Sequence, residues 1–205
     1  GRASGGRAGV RGEPLVRLDP GMRPLQERAD PHGVCFGCGA ANPAGLHLHS
    51  YPDEDGVHVV ATVQPDEIYC GWPGLVYGGY IAMIVDCHSN WTAIYGPYRS
   101  EGRAMETAPP IHFVTGNLSL TYRQPTPLGV PLALLANVEG PAGPKTRVLS
   151  DVLADGMVTV SADSLFVRVD VAKFAVRAHP VYGCLSFFLR CFFNKHRTPF
   201  VCSLV

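Results

Sequence analysis

Polar and apolar positions alternate over several short stretches of this chain, and one long apolar run interrupts them. The alternation predicts strands at 46–51 and 57–63, joined by the turn PDEDG. A helix is predicted from Gly78 to Ile94, because apolar residues there recur on nearly every side. Ile81, Ile84 and Val85 share one face, and Met83 and Trp91 another. Such a helix needs cover all round, from its own sheet and from a partner subunit. Four further strands follow at 114–123, 131–139, 146–153 and 158–169, separated by the turns TPLG, GPAGP and ADG. The pattern predicts an α+β fold, with an antiparallel sheet wrapped around one long central helix.

Outside that pattern lie two ends of different character. Residues 1–31 are rich in Gly, Arg, Ala and Pro without an apolar period, and read as a flexible leader. Glu13, Asp19, Glu27 and Asp30 within it argue against a transit peptide, which is poor in acids. Residues 32–170 form the predicted globular domain. Residues 171–205 form a basic aromatic tail outside the core. Leu185, Leu189, Phe192 and Phe193 in it fall on one face if helical, as in an interfacial helix, and a partly ordered extension is the competing reading.

Composition narrows the function. Among 205 residues, 46% are hydrophobic and 17% charged, which suits one folded domain with a full core. Formal net charge is zero, so nothing general favours nucleic acid as a partner. No apolar run reaches the roughly 20 residues of a membrane span. Seven cysteines, without a compact disulfide spacing, point to reduced thiols and a cytoplasmic setting.

The candidate chemistry sits in the central helix. Asp86 is a lone carboxylate in apolar surroundings, costly to bury unless paired or used. Gly78 and Gly79 open the helix and leave backbone N–H groups at the positive end of its dipole. A base and an amide that polarises a carbonyl are what acyl transfer requires. His88 follows Asp86 by two positions and so points elsewhere, which favours a core histidine. Asn90, one turn beyond Asp86, shares its face. Cys35-x2-Cys38, with His32, His47 and His49 nearby, is a weak zinc pattern without a second ligand pair. A tight turn with small buried thiols is preferred, and no metal is expected. Asn90-Trp91-Thr92 and Asn117-Leu118-Ser119 match the glycosylation pattern but fall inside predicted elements.

Three segments, CFGCGAANPAGLHLHSY (35–51), GWPGLVYGGYIAMIVDCHSNWTA (71–93) and FVTGNLSLTYRQPTPLG (113–129), resemble the hotdog-fold thioesterase superfamily. The resemblance leans to its phenylacetyl-CoA thioesterase-like branch and covers roughly residues 32–170. It implies an acyl-CoA thioesterase that needs no cofactor, acting as a homodimer or homotetramer with its sites at subunit interfaces. By the same resemblance Asp86 is the catalytic carboxylate and Gly79 supplies the polarising amide. Thr115 is the hydroxyl residue given by the partner subunit, and Tyr77, Gly78 and Asn90 border the substrate. Two positions depart from the family pattern. Tyr77 stands where a His is usual, and Gly71 where many relatives are polar. These departures support the alternative of a non-catalytic acyl-CoA binding or scaffold protein. A hydratase is a third reading, disfavoured by the placement of Asp86 and His88.

Overall fold

The computed structural model describes residues 21–170. Its centre is a 23-residue helix, α2 (Gly78–Ser100), preceded by a short helix α1 (Leu25–Ala29). A six-stranded antiparallel sheet runs in the order β1 (Tyr51–Pro52), β2 (Val59–Val63), β6 (Leu132–Glu139), β7 (Lys145–Ala154), β8 (Met157–Val169) and β5 (His112–Tyr122). A hairpin of β3 (Cys70–Trp72) and β4 (Leu75–Val76) stands just before α2. The long helix lies against β5, β6, β7 and β8, so the sheet wraps it as the apolar pattern predicts.

Strand alternation supplies the core. Along β7, Thr146, Val148, Ser150, Val152 and Ala154 turn inward while their neighbours are more open. Two apolar clusters result. One gathers Ile81, Ile84 and Val85 with Leu132, Leu134 and Val160; the other joins Ala93, Ile94 and Tyr98 to Val59, Phe113 and Phe166. Between β7 and β8 the turn is Asp155-Gly156, both with positive φ (49° and 78°), the two-residue hairpin that ADG predicts.

Several boundaries differ from the sequence reading. Residues 25–29 of the expected leader are helical, and Leu25 is fully buried in the second cluster. Residues 1–20 and the proposed tail, 171–205, lie outside the described residues. Of the strand expected at 46–51, only Tyr51 pairs in the sheet. The Leu46 and Leu48 amides bond instead to the Phe36 and Gly37 carbonyls of the CFGCG turn. His47 has φ of 50°, which ends strand alternation there.

The helix runs six residues past Ile94, through Pro97, to Ser100. An internal proline costs about 3 kcal/mol. Ile94 and Tyr98 flank it and are buried, each worth roughly 1.5–3 kcal/mol, and the Tyr98 hydroxyl accepts the Ile111 amide. Packing therefore outweighs the local penalty. Cys70 is exposed at the start of β3.

Candidate active site on the central helix

Helix α2 is covered unevenly. Gly79, Ala82, Met83, Asp86 and Asn90 follow one another at helical spacing, and all are only partly covered or exposed. This stripe is the open side of an otherwise buried helix. Asp86 is half-buried on it, and its Oδ1 accepts a hydrogen bond of 2.7 Å from the Thr115 hydroxyl. Burial raises the Asp86 pKa above the usual carboxylate value, the Thr115 bond lowers it, and the nearby Cys35 raises it again; the net shift is upward.

A β-bulge delivers Thr115. In β5, Thr115 lies opposite Phe166, but Asn117 lies opposite Leu165, leaving Gly116 as the extra residue. Phe113, buried in the core, and Thr115 are two apart and turn the same way, toward the helix. After the bulge the inward positions become Leu118 and Leu120. One strand thus serves both the polar site and the core. Thr115 bonds to the Asp86 of its own chain.

Two turns earlier, the helix begins. Tyr77 is its N-cap and contributes no side-chain hydrogen bond, so the first-turn amides are not capped by it. The Tyr122 hydroxyl donates to the Gly78 carbonyl at 2.7 Å. That carbonyl belongs to the same peptide unit as the Gly79 N–H, so the bond fixes the direction of this amide and polarises it. Burial raises the Tyr122 pKa, with Tyr77 adding to it, so the phenol keeps its proton at neutral pH. Tyr122 escaped the sequence reading because its role depends on a contact 44 residues away.

Tyr77 crowds this end. A Cβ on Gly79 would overlap the far end of the exposed Tyr77 ring, which would have to swing aside. At Gly71 a Cβ would stand 2.8 Å from the Tyr77 Cα, so the backbone leaves no room for the polar side chain many relatives carry. A cavity of ≈ 420 Å³ opens beside the helix start, with Gly78, Ile81 and Tyr122 in its wall.

The remaining candidates separate clearly. His88 is fully buried; its Nε2–H donates to the Val59 carbonyl at 3.1 Å and its Nδ1 accepts from the Ser50 hydroxyl at 3.0 Å. Burial pushes its pKa down to about 4. Both ring nitrogens are occupied, so His88 is a neutral core residue. Asn90 donates to the Phe113 carbonyl at 3.3 Å, while its Oδ1 is shielded and has no hydrogen-bond partner among the described residues.

The CxxC does not gather histidines. Its third member is Cys87, whose Sγ lies 3.8 Å from that of Cys35. Cys35, Cys38 and Cys87 form one close group, and His32, His47 and His49 are not in it. A hydrogen bond from Cys87 lowers the Cys35 pKa to about 5, opposed by burial and aided by the Cys38 and Gly37 amides. The Cys87 thiol is pushed up by its bonds to Cys35 and Cys38 and by burial.

No family model matches the sequence. The acyl-coenzyme A thioesterase THEM4 of Mus musculus is 31% identical over 105 residues, 50% of this chain and 40% of that protein. The chain therefore spans well under half the length of this curated relative. A crystal structure of a thioesterase superfamily protein is 28% identical, covering 76% of this chain and 73% of its own, with a TM-score of 0.50. Another, from Shewanella loihica PV-4, is also 28% identical, covering 60% of this chain and 91% of its own, with a TM-score of 0.49. With its sheet wrapped on one long helix the chain has the hotdog fold, and in sequence and structure it is similar to thioesterase superfamily proteins.

Proposed function

We propose that the protein is an acyl-CoA thioesterase, hydrolysing a thioester to a carboxylic acid and free CoA. The observation that carries this reading is Asp86, half-buried on the open stripe of α2, with one carboxylate oxygen held by Thr115. The bond to Oδ1 leaves Oδ2 to take a proton from water. Water then attacks the thioester carbon, and charge moves onto the carbonyl oxygen. The Gly79 amide at the helix start, aimed by Tyr122, stabilises that oxyanion. Collapse breaks the C–S bond, and the CoA thiolate leaves and takes up a proton. Direct attack by Asp86, through an acyl anhydride that water then cleaves, uses the same groups.

Tyr77, Gly78 and Asn90 border the substrate in this reading. A cytoplasmic setting and assembly into a homodimer or homotetramer belong to the same proposal. Assembly is supported by β5, an edge strand with Val114 exposed, and by Trp72 and Tyr77, exposed near the helix start. No helix among the described residues is long and apolar enough to cross a membrane.

Thiol release from a panel of acyl-CoAs tests the reaction. Wild type should turn over at least one ester, and Asp86→Ala should lose about 10²–10⁴-fold in kcat. Equal rates in the two proteins would sink the assignment. A second reading, acyl-CoA binding without turnover, draws on the Tyr77 ring packed over Gly79. Saturable binding of a CoA ester with no thiol release from any ester would favour it.

A further inference from the structure

We propose that Cys35, Cys38 and Cys87 form a three-thiolate binding site for a thiophilic d10 metal ion, zinc in the first instance. The site lies outside the hydrolytic groups and joins two distant parts of the chain: the CFGCG turn and the middle of α2. All three Sγ atoms fall within 4.8 Å of one another, and Cys35 and Cys87 are 3.8 Å apart. With Zn–S bonds of about 2.3 Å, sulfurs at two corners of a tetrahedron lie about 3.8 Å apart. The thiols thus stand near ligand spacing already.

The backbone is shaped to let them meet. A Cβ on Gly37 would overlap the Cys87 Sγ, so glycine is what admits the helix thiol over the turn. Gly39 is similarly confined, since a Cβ there would overlap the Cys35 backbone; its amide bonds to the Cys35 carbonyl at 2.8 Å and closes the turn. Donors surround the sulfurs. The amides of Gly37 and Cys38 point at the Cys35 Sγ, and the Trp91 Nε1–H donates to the Cys38 Sγ at 3.2 Å. Hydrogen bonds of this kind hold ligating sulfurs in orientation and temper their negative charge.

Cys38 and Cys87 are buried and Cys35 is exposed, so the ion would sit at the rim of the core with one side open. Three protein ligands leave the fourth position of zinc to solvent on the Cys35 side. Copper(I) is satisfied by thiolates as well and shares this chemistry. On binding, the thiol protons pass to solvent, and the turn becomes fastened to α2 one residue beyond Asp86.

The test is anaerobic titration of the reduced full chain with Co(II), followed by displacement with Zn(II), and a separate titration with Cu(I). We expect one ion per chain. The bound cobalt should show tetrahedral ligand-field bands and thiolate charge-transfer absorption of three-sulfur intensity. Cys35→Ser, Cys38→Ser and Cys87→Ser should each weaken uptake at least tenfold. Cys70→Ser and the combined change of Cys184, Cys191 and Cys202 to Ser should leave it intact. Gly37→Ala keeps every thiol yet displaces Cys87, and should also weaken binding. Zinc should raise the Tm of the wild type, and a chelator should reverse the rise. Tighter uptake of Cu(I) than Zn(II) upholds the site and names copper as its ion. A reduced wild type that takes up no stoichiometric ion, a spectrum of fewer than three thiolates, or unchanged uptake by Gly37→Ala overturns it.

Discussion

Two opposed influences set the protonation of Asp86, burial and Thr115. Burial holds its pKa up, and the Thr115 hydroxyl, donating to Oδ1, pulls it down. Thr115→Ala removes the lowering influence, so the carboxylate should protonate at higher pH. The acidic limb of the kcat/KM profile, where activity is lost as pH falls, should move upward in the variant, and a pH–rate series checks it. Tyr122 acts at one remove. Loss of its bond to Gly78 in Tyr122→Phe should cost roughly 0.5–1.5 kcal/mol, or about 2–13-fold in kcat. An unchanged KM would place the loss in the transition state.

Helix α2 carries its own pH dependence through His88. The folded protein holds this imidazole neutral with a pKa of about 4, against 6.5 for an unburied one. Between those values the unfolded chain binds the proton and the folded one does not. Stability from this group is therefore complete above about pH 6.5 and lost progressively as pH falls toward 4. The full loss is on the order of 3 kcal/mol. Urea unfolding across that range should show the midpoint fall on the acid side. At the start of the same helix, Gly79→Ala sets a methyl against the Tyr77 ring. Because that exposed ring can swing aside, the single variant should change stability by at most about 1 kcal/mol, and Tyr77→Ala in the same chain should remove whatever part the ring contributes. Thermal melts of the single and double variants measure the coupling.

For the whole molecule, the open stripe of α2 and the free edge of β5 make the same demand. Apolar and aromatic surface near Asp86 calls for cover, and an edge strand accepts a partner strand. Sedimentation should find the wild type as a dimer or tetramer, and Val114→Lys, a charge on that edge, should shift it to smaller species. A monomeric wild type would remove the oligomer from the proposal.

The apolar run from Gly78 and the alternating strands around it made the helix and sheet legible in order, because periods of 3.6 and 2 are local properties. Asp86 and the Gly78–Gly79 start stood out for the same reason: a charge in an apolar run and two glycines at a helix start need no partner to be noticed. Contacts between distant segments were not legible. Burial of Ile94 and Tyr98 carried α2 through Pro97, and the bulge at Gly116 turned Thr115 toward Asp86 in its own chain. The CxxC looked like an incomplete ligand set until folding set Cys87, 49 places beyond Cys38, against it. Local chemistry marks which residues are unusual; the packing of sheet on helix decides which of them meet.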